Sequence, residues 1–274
     1  MRRLKLGSVL ALCVLLCACS TNVPASDNAL SDNTVGVHAP DDDSYNHPEA
    51  STPAGDANSL PPHEGMERSR LTNEWVDKTT AETRPIAVMI PNESNALPHY
   101  NLSNASILYE ANVEGRMTRF LAIFENWTDL DKIGNIRSLR SYFAYWAFEW
   151  DAFIVHSGQP FFVNELLALP DTETINENGF PDTDAFFRDP SRQRPHNLYA
   201  TGSGIQKVVN EKGYSLSYRG LCDTQHFQFT GSEAPNTLEQ YGTAATAATY
   251  IDMSGCYPVT RCYFDYNPQD GLYY

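Results

Sequence analysis

The sequence predicts a mixed α and β domain followed by the start of a second, β-rich domain. Three observations predict it. Apolar runs of strand length recur between residues 84 and 156. Helical spacing appears between and after those runs. From about Gly220 the texture changes to small, polar and aromatic residues with strand alternation.

Taken in order, RPIAVMI (84–90) is a continuous apolar run and reads as a buried strand. SILYEANV (106–113) and TRFLAIFE (118–125) read as two further strands, joined as a hairpin through the turn EGRM. SLRSYFAYWAFE (138–149) has helical spacing and many aromatics. AFIVH (152–156) is another buried strand, Asn164 to Leu169 a short helix, and Asn176 to Phe180 a brief strand. Gly202 to Lys212 is an amphipathic helix carrying Ile205, Val208 and Val209 and stopped by Gly213. Beyond Gly220, QHFQFT reads as a strand and CYPVTRCYFDYNPQDGLYY as alternation followed by a turn. The sequence stops at Tyr274, where a hairpin partner is due, which reads as a C-terminal domain cut short.

The first residues carry Arg2, Arg3 and Lys5 without an acid, and Val9 to Ala18 is an apolar stretch of ten residues. That is too short for a hydrocarbon core needing about 20 and has the form of a signal peptide, assigned to residues 1–18. Leu16-Cys17-Ala18-Cys19 resembles the bacterial lipobox, with Cys19 as the residue alkylated by diacylglycerol. Two acyl chains hold a protein durably at a bilayer. The membrane is therefore an expected partner, through lipidated Cys19, with the domain on the extracytoplasmic face. Residues 19–83 read as an acidic, disordered tether, with partial order expected over 71–83 as the chain nears the domain; there are twelve acids against three bases from Ser20 to Thr83 and few aliphatic residues. A flexible coil of about 60 residues spans roughly 40–45 Å. Domain boundaries follow at 84–219 and 220–274.

Loss of residues 1–18 moves the formal net charge from −15 to −18, because three bases and no acid leave. Such a surface repels nucleic acid, which is not expected as a ligand. Of six cysteines, Cys222, Cys256 and Cys262 remain in the folded part. They allow one disulfide, Cys222 with Cys256 or Cys262, or three unpaired thiols. There is no Walker loop, GxGxxG, HExxH or GxSxG, and no cofactor or metal is expected.

Three polar stretches stand beside the apolar runs. In Gly134 to Arg140, Ser138 reads as a helix N-cap, with Arg137 and Arg140 near the helix start, a place suited to an anion. The plain alternative is that each arginine pairs with a carboxylate. In Val155 to Gln159, His156 and Ser157 end a buried strand, where ligands gather in α/β sheets. Adjacent strand residues face opposite ways, so the two are not expected to act on each other, and a satisfied core histidine is the simpler reading. Phe187 to Tyr199 concentrates Arg188, Arg192, Arg194, His196 and Asn197 in an otherwise acidic chain. Clustered cations imply an internal acid cluster or an anionic ligand. Glu110 and Glu114, four apart, can serve as internal partners, as an acid/base pair or as part of a metal site.

The ordered motifs YE…EG..TRF, IG.IRS.R.YF, VH.G and RPHNLY, after a first strand closed by an NES turn, resemble the YerB-like lipoproteins of Gram-positive bacteria, over roughly Arg84 to Tyr218 and faintly from Tyr257. Arg116 and Pro98-His99 depart from the family pattern. The resemblance implies an α+β layered sandwich with a mixed sheet and a smaller C-terminal domain. It also implies an anchor on the outer face of the plasma membrane, and supplies no catalytic residues, because the family carries a domain of unknown function. Two roles follow as expectations. One is a binding or scaffolding module for an anionic envelope polymer or envelope protein. The other is an envelope-polymer hydrolase or transferase using Glu110, Glu114, His156 and His196.

Overall fold

The structure, a computed structural model, describes residues 64–179, 182–229, 239–257 and 259–274. The signal peptide, Cys19 and most of the acidic segment lie outside the described residues, as does Phe180.

Described elements begin before Arg84. β1 (Met66–Arg68) and β2 (Trp75–Asp77) pair antiparallel, and α1 (Lys78–Glu82) follows. Leu71 and Ala81 are buried, and Leu71 belongs to one of the two cores. Ordered elements thus begin at Met66, a few residues before the 71–83 stretch where partial order is expected. Leu71, Trp75 and Val76 sit among polar neighbours too few to show periodicity, yet long-range packing orders them.

β3 (Ile86–Pro91) is the centre of the fold. The hairpin of β4 (Ile107–Asn112) and β5 (Thr118–Phe124) lies on one side of it, with β5 antiparallel to β3. β6 (Ile133–Gly134), only two residues long, belongs to a separate sheet. After α2 (Ser141–Phe148) the chain returns as β7 (Phe153–His156), parallel to β3. α3 (Asn164–Leu167) and β8 (Thr174–Asn176) follow, β8 parallel to β7. The sheet order β4-β5-β3-β7-β8 is mixed, as expected. β9 (Phe186–Arg188) and β10 (Leu198–Ala200) form a hairpin with β6 at its edge, and α4 (Gly202–Glu211) closes the domain.

Strand pleating explains the layers. Ile86, Val88 and Ile90 point to a core capped by β6, β10 and α4. Ala87 and Met89 point to the opposite core, under Leu139, Phe143, Ala144 and Ala147 of α2 and its approach. Since β3 is buried on both faces, its sequence is continuous rather than alternating. α4 starts where the Thr201 hydroxyl accepts from the Gly204 N–H (3.0 Å). Gly202 is required there, because a Cβ would lie 2.0 Å from the carbonyl oxygen of Trp127.

Several expectations shift. The aromatic helix starts at Ser141 rather than Ser138, and its N-cap Arg140 makes no side-chain cap bond. The brief strand lies at Thr174–Asn176, because pairing with β7 sets it. Residues 225–229 of QHFQFT form no strand; His226 and Phe227 instead pack on Trp150. β11 (Tyr250–Asp252), β12 (Tyr263–Asn267) and β13 (Leu272–Tyr273) make a small antiparallel sheet, so the last residues of the sequence do supply the hairpin partner after the NPQDG turn. Cys222, Cys256 and Cys262 are all unpaired thiols. Among the described residues no helix is long and apolar enough to cross a membrane.

Candidate functional site

The parallel strands β3, β7 and β8 point their carboxyl ends to one edge of the sheet, the place where open α/β sheets form crevices. β5 runs the other way, so its first residues, Thr118 and Arg119, reach the same edge. The segment leading to α2 crosses this edge as a bridge. The Arg137 N–H donates to the Met89 carbonyl (2.9 Å), and the Ser157 N–H donates to the Arg137 carbonyl (3.1 Å). The ends of the β9–β10 hairpin arrive from the other layer. A cavity of about 120 Å³ lies between them, lined by residues including Arg137, Ser138, Ser157, Arg188 and Pro195.

The guanidiniums of this region differ in what they are free to do. Arg188 is held by Glu177 (2.5 Å) and by the Asn197 amide oxygen (3.0 Å). Arg192 donates to the carbonyls of Ala96, Leu97 and Pro98 and to the Tyr199 hydroxyl, and so clamps its loop. Arg140 makes a two-pronged pair with Glu114. That pairing holds the Glu114 carboxyl down to about 2. Arg194 is exposed and makes no hydrogen bond or ion pair among the described residues. Arg119, 6% exposed, donates to the Ser138 carbonyl and makes no ion pair among the described residues. Burial, with Arg140 and Arg137 close by, pushes its pKa down to about 10, so it keeps its charge at neutral pH. Arg137 is left over. Its Nε is buried without a hydrogen-bond partner, it meets no carboxylate among the described residues, and it lines the cavity.

The histidines separate in the same way. His156 is sealed in the core, bonded to the Gly158 carbonyl (3.0 Å) and the Thr174 hydroxyl (2.7 Å). Desolvation lowers its pKa to about 4, so it is a neutral structural group rather than a base facing the cavity. His196 faces Glu93 at 3.7 Å. Burial, Arg137 and Arg192 lower its pKa against the pull of Glu93. Ser157 donates its hydroxyl to Glu177 (2.9 Å) and Ser138 to the Ser157 carbonyl (2.8 Å), so neither is a poised nucleophile.

The structure therefore corrects several placements. Ser138 caps no helix, and the amides of Arg137 and Leu139 are already committed to Met89 and Gly158. Glu110 and Glu114 do not serve the arginine loop. Glu110 accepts from Asn92 (2.9 Å), and Glu114, in the turn after β4, takes Arg140. The acids that do serve the basic loop are Glu177, on Arg188, and Glu93, facing His196; the loop's own Asp189 pairs with Lys132, whose ammonium lies over Tyr100 and Tyr199. Sequence reasoning missed Glu93, Arg119 and Glu177. Glu93 and Glu177 each stand just past the end of a parallel strand, and that position was the available signal.

Fold and site together define an α+β sandwich with an arginine-lined crevice at the ends of parallel strands. The chain belongs to the family described as "Protein of unknown function (DUF3048) N-terminal domain", which matches residues 71–215. It is 33% identical over 174 residues to "Putative lipoprotein YerB" of Bacillus subtilis (strain 168), covering 64% of this chain and 51% of that protein. It thus spans about half the length of that curated relative. The crystal structure of the YerB protein from Bacillus subtilis superposes with a TM-score of 0.61 at 28% identity, covering 76% of this chain and 65% of the other. The YerB-like resemblance and the mixed α and β sandwich are thereby established.

Proposed function

We propose that the protein is a lipid-anchored lipoprotein of the extracytoplasmic membrane face whose domain binds an anionic group of an envelope polymer. The observation that carries the binding reading is Arg137, a guanidinium with a buried, unpartnered Nε on a cavity wall and the unpaired Arg119 behind it. An uncompensated buried donor is costly, and a phosphate or carboxylate in the cavity would offset the charge of the guanidinium and take charge-assisted bonds from it. The lipobox Leu16 to Cys19 and the name of the Bacillus subtilis relative, "Putative lipoprotein YerB", support the anchor. The acid/base alternative has less support, because His156 is walled in and Glu110 and Glu114 are engaged elsewhere.

Calorimetric titration with inorganic phosphate at low salt tests the site. Wild-type protein is expected to bind, and Arg137→Ala to weaken binding at least ten-fold, about 1.4 kcal/mol. No binding by the wild type, or equal binding by the variant, removes this reading. For the anchor, Cys19→Ala is expected to move the protein from the membrane fraction to the soluble fraction. Retention with the membrane contradicts a lipid on Cys19.

A further inference from the structure

The loop after β7 is the part of the molecule that the binding reading does not use. It runs from the cavity wall at Ser157 through Gly158 to Phe161 and Phe162. Phe161 is 84% exposed and Phe162 57%, and their rings meet edge to face with centroids 5.7 Å apart. Two phenylalanines that pack mainly on each other, and not on the core, form a raised apolar platform.

The platform is held in place. The Leu139 N–H donates to the Gly158 carbonyl (3.0 Å), and the Gly158 N–H donates to the Asn176 amide oxygen (2.9 Å). Gly158 sits at φ +73°, and a Cβ on it would lie 3.0 Å from the side-chain amide nitrogen of Asn178, so a larger residue there would be strained. Gln159 donates to Asn164 (2.9 Å) and accepts from Asn176 (3.1 Å). The strip between cavity and platform is therefore lined with primary amides. Phe161 lies four positions after Ser157, so the platform lies within about 14 Å of the cavity wall.

We propose that this strip is a saccharide subsite, and that the ligand of the Arg137 cavity is a glycan carrying an anionic substituent. The proposal rests on the anion-binding reading above. The C–H face of a sugar ring stacks on an exposed aromatic. Primary amides pair with hydroxyl and acetamido groups in either direction. The anionic substituent reaches Arg137. A bilayer contact suits the same platform less well, because Glu165 stands exposed three residues beyond Phe162 and would be drawn into the apolar boundary.

Purified full-length protein, wild type and the double variant Phe161→Ala/Phe162→Ala, would be titrated with four probes: inorganic phosphate, chitotetraose, a polyol-phosphate polymer bearing N-acetylglucosamine, and glycan strands of alternating N-acetylglucosamine and N-acetylmuramic acid. Flotation with phosphatidylcholine vesicles completes the set. The wild type is expected to bind at least one charged glycan ten-fold or more tightly than phosphate, and which one identifies phosphate or carboxylate as the anion. The double variant is expected to lose at least ten-fold toward that glycan while its phosphate Kd stays within two-fold. A glycan Kd within two-fold of wild type in the variant overturns the subsite, as does Phe-dependent vesicle binding without glycan binding. Phosphate binding that persists while both charged glycans bind no better overturns the saccharide proposal alone and leaves the cavity reading standing. Loss of phosphate binding in the wild type removes both.

Discussion

At the scale of single residues, partner count decides role. Arg192 and Arg137 are alike in sequence, but one has its donors filled by backbone carbonyls and the other keeps a buried Nε empty. His156 has a different consequence. Its folded pKa of about 4 lies below the unfolded value of about 6.5. The unfolded chain therefore binds a proton over that interval that the folded chain refuses, so stability is full above pH 6.5 and falls as pH drops toward 4. The loss attributable to His156 approaches about 3 kcal/mol. Burial raises the Glu125 pKa and acts in the opposite direction, so the test is differential. Urea unfolding between pH 7.5 and 4 is expected to give a shallower slope in His156→Gln than in wild type. Equal slopes would assign the pH dependence to other groups.

At the scale of elements, the N-terminal hairpin is the part that sequence alone left out. Leu71 docks in the core beneath α2, and Ser69 hydrogen-bonds the buried carboxyl of Glu125. A chain beginning at Arg84 is expected to lose about 1.5–3 kcal/mol from Leu71 alone relative to one beginning at Ser20. Denaturant melts of the two chains check this, and coincident melts would make the hairpin an ornament. β3, β5 and β7 were legible because burial on both faces writes a continuous apolar run. α4 was legible from its spacing, with Ile205, Val208 and Val209 on one face. β6, β9 and β10 were not, since strands of two or three residues owe their state to partners far along the chain. The candidate site divides similarly. Arg137 stood out as a residue type, but that its Nε stays unfilled depends on pairings such as Arg188 with Glu177 and Arg140 with Glu114, which no local pattern encodes.

At the scale of the whole molecule, one buried network ties the start of the domain to its end. Arg84, fully buried, donates to the Asp151 carbonyl (2.6 Å), Glu173 and the Ser215 carbonyl (2.9 Å), and its guanidinium lies 4.1 Å from the Phe153 ring centre. Arg219 closes on Asp151 through its backbone N–H (2.7 Å) and its side chain. Removing one member of a buried pair strands the other. Arg84→Ala is expected to cost about 3–5 kcal/mol in urea melts, and Arg219→Ala less, because Arg84 still neutralises Asp151. Equal costs would mean that the more exposed arginine, Arg219, carries the network.

That network also sets an order in time. β3 leaves the ribosome early, yet its parallel neighbour β7 follows a whole hairpin and helix later, and Arg84 waits 131 residues for Ser215. Pairings so distant are slow to form. A nascent chain ending anywhere before Arg219 would hold its most apolar strand without a complete cover. Under the lipid-anchored reading proposed above, in which the chain crosses the membrane as an extended polymer, that delay would keep it transportable, and the domain would close only once nearly all of it had reached the far side.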